Sequence, residues 1–324
     1  MEDTLRIKIN EWKTSRGLPP YSEKTIESYL TNVRKLAPPN YEDMSWAKSS
    51  ENVAQFLSKF KPTTQRNYYN SLLICLYASG YPKNSGLTKV YETKRDLLNA
   101  QYENTRGNNS EKQQVVLQAV NRQTIDKMLE KMRSNLKDRT THMAYVMINI
   151  YKHHQFRNDV ANMEIFFNKI YEEIDEEEKV KHNYLLLGKP PESMSFVLNQ
   201  YKTSKKYGEK FIEVQHPELQ DILKEWINRK VGGDWNKILE GVIYLFDWAT
   251  GTPLNRNDVS HLLGDTFKKY TGHSVSTTLL RKIYGEIPAD PNSATDKQIQ
   301  KVIDQAHTSG HSVKTKATSY TQGK

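Results

Sequence analysis

The sequence is short of the residues that would make the chain disulfide-bonded, membrane-spanning or built around a zinc knuckle. It has one cysteine, Cys75, so an internal disulfide is impossible and thiolate metal spacing is excluded with it. Cys75 lies in the apolar run Leu72-Leu73-Ile74-Cys75-Leu76, where a small buried thiol is expected and a reducing intracellular compartment fits. The start, Met1-Glu2-Asp3-Thr4, is acidic and carries no apolar core segment, so no secretory signal is expected. No run approaches the ~18 apolar residues that span a bilayer, and no membrane partner is expected. No internal repeat is visible.

What the chain does have is length and positive charge. Its 324 residues favour two domains over one. Lys and Arg number 47 against 38 Asp and Glu, a formal net charge of +9. Such a surplus points to polyanions, nucleic acid first and anionic membrane second, although many basic proteins are simply soluble.

Helical periodicity fills the first hundred residues. Ser22 is a plausible N-cap for a helix with Ile26, Tyr29, Leu30 and Val33 on one face. Val53, Phe56, Leu57 and Phe60 mark a shorter helix. Thr63 or Thr64 is expected to cap another, through Tyr68, Leu72, Cys75 and Leu76, ended by Gly80. Residues 99–114 are polar and nearly free of aliphatics, which reads as a linker. The expected division is therefore a helical domain over 1–98, a linker over 99–114 and a second domain over 115–324. The first carries 15 basic and 10 acidic residues, +5, and the remainder carries 32 and 28, +4.

Past the linker, helical stripes return at Ile125, Met128, Leu129, Met132 and at Met143, Val146, Met147, Ile150. The six acids within 172–178 read as a solvated face or loop. Ser195–Tyr201 and Phe211–Val214 read as two strands of a hairpin whose turn, 202–210, has a basic tip. Two further helical stripes follow, Leu219, Ile222, Leu223, Trp226 and Val259, Leu262, Leu263, Phe267.

The residues that carry chemistry form an ordered set. Phe156-Arg157-Asn158-Asp159 comes first, then Tyr201-Lys202-Thr203 in the hairpin, then Leu279-Leu280-Arg281-Lys282, and then Gly310-His311 with Tyr320 nine residues beyond the histidine. An arginine, a hairpin lysine, a second arginine, a Gly-His and a terminal tyrosine in this order resemble the catalytic set of the tyrosine recombinases, the phage integrase family. No one of these motifs is specific; the order and spacing carry the likeness, which covers essentially the whole chain. It implies a mainly α fold with a small β-sheet or hairpin: a helical, SAM-like core-binding domain followed by an α+β catalytic domain. The stretch Tyr-Lys-Thr-Ser-Lys-Lys-Tyr-Gly at 201–208 looks like versions carried by large DNA viruses and mobile elements.

The resemblance implies a site-specific recombinase or integrase that breaks and rejoins DNA through a 3′-phosphotyrosyl bond, without metal, ATP or any cofactor. Tyr320 would be the nucleophile. Arg157, Arg281 and His311 would grip the non-bridging phosphate oxygens, and Lys202 would give the leaving 5′ oxygen its proton. Lys205 and Lys206 near the hairpin tip, with Lys24 and Arg66 in the first domain, are the expected DNA contacts. Double-stranded DNA is the expected partner. The resemblance also implies a homotetramer on synapsed DNA, a free monomer or dimer, and an intracellular location, nuclear or cytoplasmic in a host cell if the source is viral.

One position departs from the pattern. Where the family carries a histidine three residues before the second arginine, this chain has Thr278. A hydroxyl donates to phosphate but cannot serve as a base near neutral pH. Two other readings therefore stay open: a catalytically weakened, DNA-holding relative, and a type IB topoisomerase. Several residues have ordinary explanations too. Turn lysines are usually solvated, so Lys205 and Lys206 compete with Lys202. Arg281 after two leucines could be a snorkelling helix residue. His307 and His311 are spaced for a metal, but no Glu or Cys completes a site. Tyr284 is a weaker candidate nucleophile. His153 and His154 read as surface or packing residues.

Overall fold

The computed structural model describes residues 2–105, 108–188 and 193–285, and the backbone but not the side chain of Lys206. His311 and Tyr320 lie outside the described residues. The chain divides into two compact units, Met1–Arg106 and Gly107–Lys324.

The first unit is helical: α1 (Glu2–Thr14), α2 (Glu23–Leu36), α3 (Ser50–Ser58), α4 (Pro62–Ala78) and α5 (Gly86–Thr105). Ser22 caps α2 by accepting from the Thr25 N–H at 3.3 Å, and Ile26, Leu30 and Val33 are buried beneath it. Helix α4 is the hub. It buries Tyr68, Leu72, Cys75 and Leu76 as expected and also Tyr69, Leu73 and Tyr77, so apolar residues cover more of its circumference than the one stripe read from the sequence. Thr63 and Thr64 do not cap it. Lys61 holds the N-cap position and Pro62 the first turn, where a missing N–H costs nothing and a fixed φ favours the helix. Gly80, at φ +89°, ends it as expected.

The segment 99–114 is largely ordered helix. Helix α5 runs on to Thr105, and α6 (Glu111–Ala119) begins with a capping box in which Ser110 accepts from Gln113 N–H and the Gln113 side chain accepts from Ser110 N–H. The boundary between the two units, at Arg106 and Gly107, falls inside the expected linker, and the polar composition of the helical residues on either side reflects their exposed faces.

The second unit continues with α7 (Arg122–Arg133), α8 (Arg139–His153), β1 (Glu164–Phe167), α9 (Asn168–Glu173), α10 (Glu176–Lys179), β2 (Asn183–Leu187), β3 (Met194–Leu198), α11 (Ser204–Tyr207), β4 (Lys210–Glu213), α12 (Pro217–Val231), α13 (Lys237–Glu240), β5 (Ile243–Tyr244), α14 (Arg256–Thr271) and α15 (Thr277–Tyr284). The five strands lie in the order β4-β3-β2-β1-β5. The β1–β2 pair is parallel and the other three are antiparallel. Both faces of the sheet centre are covered. Leu185, Leu187, Phe196 and Leu198 enter the main core with α7, α8, α12, α14 and α15. Tyr184, Leu186 and Val197 form a second cluster with Phe166 and Tyr171. Strands buried on both sides read as unbroken apolar runs rather than alternations, which is why β1 and β2 left no period in the sequence.

The expected hairpin is β3 and β4, paired Ser195↔Glu213 through Leu198↔Lys210. Its first strand is shorter than expected, and the connection folds Lys205 and Lys206 into the helical turn α11. The acidic run 172–178 is solvent-exposed apart from Ile174, as expected. Among the described residues, no helix is long and apolar enough to cross a membrane.

Candidate functional site

Arg157 and Arg281 are carried by separate elements of the second unit. Arg157 caps a 3-10 turn, Asn158–Val160, that follows α8. Its carbonyl accepts from the buried Tyr151 hydroxyl at 2.7 Å, so the helix clamps the loop that leaves it. Arg281 sits on α15, a short helix capped by Ser276, which accepts from Leu279 N–H at 3.3 Å. The last carbonyls of α15 are held by that loop and by the start of α7: Gln155 Nε2 donates to Tyr284 O at 2.9 Å, and Arg122 Nε donates to Ile283 O at 3.0 Å. Helix α15 is thus fastened two residues before Arg157.

Asp159 is a carboxylate on which the charges of Arg256, Arg157 and Arg281 all act. It is buried, 4 % exposed. Burial pushes its carboxyl above the usual range, and the positive charges of Arg256, Arg157 and Arg281 pull it back. Arg256 Nη2 donates to Asp159 Oδ1 at 2.9 Å. Two neighbours feel the same charges. Burial pushes the Tyr151 phenol up; the Asp159 charge adds to this, while those of Arg281 and Arg256 oppose it. Burial pushes the Lys210 ammonium down, the charge of Arg157 adds, and Asp159 opposes. Lys210 Nζ also stands 4.7 Å from the ring centroid of Tyr201.

Thr278 is half-buried beside Arg281, and Arg281 Nη2 donates to its hydroxyl at 3.4 Å. Arg281 Nε reaches Thr277 O at 3.4 Å, within its own helix. Thr278 therefore lies beside Arg281, and the charges of Arg157 and Arg281 both act on Asp159. Lys202 is exposed on the turn that leaves β3, and Lys205 is exposed on α11. In the first unit Lys24 is exposed on α2, while Arg66 stacks its guanidinium 3.9 Å from the centre of the Tyr102 ring. Three of the site residues expected from sequence lie where nothing is described: His311, Tyr320 and the Lys206 side chain.

Tyr284 is unsuited to attack a phosphate. Its hydroxyl is buried, and burial drives its phenol well above the ordinary range. His153 and His154 are packing residues. His154 stacks on Phe156 with ring centroids 5.4 Å apart, and His153 lies against His216 at 4.1 Å. No group of three His, Cys, Asp or Glu capable of holding a metal exists among the described residues.

Sequence reasoning did not find Arg256, Asn183 and Lys210. Arg256 directly follows Asn255, whose side chain accepts from Asn257 N–H at 2.8 Å and Asp258 N–H at 3.1 Å. A helix start was legible there, but not the distant carboxylate that its first arginine meets.

No family model and no curated protein matches the sequence. Among solved structures, the chain is similar to XerA recombinase at 12 % identity, covering 100 % of this chain and 95 % of that one, with a TM-score of 0.41. It is also similar to the Tn1549 transposon integrase, solved in complex with transposon right end DNA, at 14 % identity over 99 % of this chain and 95 % of that one, with a TM-score of 0.56. The mainly helical build, the small five-stranded sheet and the likeness to that integrase give one result: the chain has the tyrosine recombinase fold.

Proposed function

We propose that this protein is a site-specific DNA recombinase that cleaves and rejoins strands through a 3′-phosphotyrosyl intermediate formed by Tyr320. The support for the reading is that the charges of Arg157 and Arg281 both act on the buried Asp159, on a fold shared with a transposon integrase. Two guanidiniums on separate, fastened elements suit a phosphodiester whose non-bridging oxygens gain charge during displacement.

In the proposed reaction Tyr320 gives its phenol proton to solvent, its oxygen forms a bond to phosphorus, and the bond to the 5′ oxygen breaks. Lys202 supplies the proton to that leaving oxygen, and His311 gives the phosphate a further donor. The ester keeps the bond energy, so attack by a 5′ hydroxyl reverses the step without ATP. Double-stranded DNA is the substrate, held by Lys24, Lys205, Lys206 and the exposed edge of Arg66, and strand exchange proceeds in a tetramer on synapsed DNA. The polar, charge-rich surface and absent disulfides suit an intracellular enzyme of a mobile element or virus.

Thr278 favours one second reading, a weakened relative that holds DNA with little cleavage, because the hydroxyl next to Arg281 offers a donor and no base. Suicide DNA substrates made from the flanks of the gene separate the two. The recombinase reading expects a covalent adduct that is lost in Tyr320→Phe while DNA binding persists. Binding without any adduct supports the DNA-holding reading, and an undiminished adduct in Tyr320→Phe removes Tyr320 from its role.

A further inference from the structure

We infer that Arg256 and Asn183 are positioning residues that hold the segment of Arg157 and the turn of Lys202 in fixed register with each other. The inference rests on the proposed function for its catalytic meaning, but its structural basis is independent. Asn183, at the start of β2, is buried and fully bonded. Its Nδ2 donates to Asp159 O at 2.9 Å and Gln200 O at 3.2 Å, while its Oδ1 accepts from Asn199 N–H at 2.9 Å and Gln200 N–H at 2.7 Å. The last backbone pair of β2 with β3 is Asn183↔Leu198. Beyond it the side-chain amide takes over the role of a strand and pairs the next two residues of the chain.

Arg256 makes the same connection from the other side. One nitrogen, Nη2, donates both to Asp159 Oδ1 at 2.9 Å and to Gln200 O at 3.0 Å. The carbonyl of Arg256 in turn accepts from Asn158 Nδ2 at 2.6 Å. Asp159 is two residues after Arg157, and Gln200 is two residues before Lys202. Two side chains from distant parts of the chain thus bridge the same two segments. A phosphate gripped by Arg157 needs its proton donor within hydrogen-bond reach, and the bridge ties the base of that donor's turn directly to the Arg157 segment. The buried Asp159 charge makes the bridge costly to break, since a carboxylate kept from water and deprived of its partner is strongly disfavoured.

The test compares single-turnover cleavage of ordinary DNA with cleavage of a 5′-bridging phosphorothiolate, whose sulfur leaves without a proton. Arg256→Met should slow ordinary cleavage by about tenfold or more, part of the ~10²–10⁴-fold that proton transfer is worth. Most of that loss should vanish on the sulfur substrate, and Arg256→Lys, which keeps a donor, should recover part of the rate. A loss carried by DNA affinity would make Arg256 a phosphate contact instead. Equal slowing on both substrates would make it a general support of the fold. Either result overturns the inference. Asn183→Asp, which keeps the acceptor and removes both donors, is the second variant if Arg256→Met folds poorly. Amide exchange is read in parallel without DNA. The Gln200 N–H should exchange about tenfold faster in Arg256→Met and in Asn183→Leu, which loses the acceptor as well, and unchanged exchange in both refutes the tether. If the wild type forms no adduct on any DNA, the proposed function fails while the exchange result still decides whether the bridge exists.

Discussion

The guanidinium of Arg281 and the hydroxyl of Thr278 lie one helical turn apart on α15, joined by a long hydrogen bond of 3.4 Å. Arg281 is 6 % exposed, and the Thr278 hydroxyl is one of the groups in contact with its guanidinium. In the proposed enzyme this threonine donates to the phosphate beside Arg281. Thr278→Val keeps the shape and removes the donor, and should slow single-turnover cleavage by about tenfold, the worth of one hydrogen bond to a charged group. Thr278→His should leave DNA affinity unchanged and preserve or raise the rate, because an imidazole adds a base worth up to ~10²–10⁴-fold. Cleavage by Thr278→Val at the wild-type rate makes Thr278 a packing residue.

Lys202 is exposed on its turn, and the proposed role requires it to meet the leaving oxygen there. Lys202→Ala should cleave ordinary DNA at least ~10²-fold more slowly and recover on the 5′-bridging phosphorothiolate. Lys205→Ala should affect affinity alone. Equal damage from Lys205→Ala in the rate of the bound complex contradicts the assignment.

DNA binding should weaken steeply with salt, log K falling against log salt by about 0.9 for each phosphate neutralised. Lys24→Ala and Lys205→Ala should each lower that slope by about 0.9 and spare thermal stability. Arg66→Ala should also lower the melting temperature, because its guanidinium packs on Tyr102. Titrations at several salt concentrations, with melting curves of the same variants, check all three. A slope unchanged in Lys24→Ala removes the first unit from the interface at that residue.

Acid should destabilise the second unit through His154. Burial and the neighbouring His153 and His216 lower its pKa from 6.5 to about 4. The folded protein therefore binds fewer protons than the unfolded chain between those values. Its contribution to stability is complete above about pH 6.5 and is lost as pH falls toward 4, at about 1.4 kcal/mol per pH unit. His154→Phe retains a ring against Phe156 and Phe196 and cannot titrate. Melting temperatures from pH 4 to 7 should fall less steeply in that variant. Parallel acid limbs in the two proteins place the titrating group elsewhere.

Local signals were legible where one residue acts on its near neighbours. Ser22 as a cap, the stripes of α7, α12 and α14, and Gly80 as a stop each depend on contacts within a turn or two. The strand β2 was not legible, because burial on both faces removes alternation and leaves a short run of leucines. The site divided the same way. Arg157 and Arg281 stood out through their order along the chain. Arg256 and Asn183 gain their meaning only from partners 97 and 24 residues away in sequence, and no local pattern encodes such pairs. Lys61, in place of Thr63 or Thr64, illustrates a smaller failure. A proline in the first turn sets the start of α4 so firmly that a side-chain cap is dispensable.

Cys75, wholly buried in α4 with its thiol pushed up to about 12 by burial, gives the protein an experimental advantage. At neutral pH almost none of this sulfur is thiolate, and reagents have no path to it. The natural chain is therefore a ready background for site-specific labelling. A cysteine placed at exposed Lys205 would take a maleimide dye alone, and one at exposed Lys24 would do the same in the first unit. Fluorescence from such single labels could follow each unit as it meets DNA, without first disturbing the packing of α4 to remove a competing thiol.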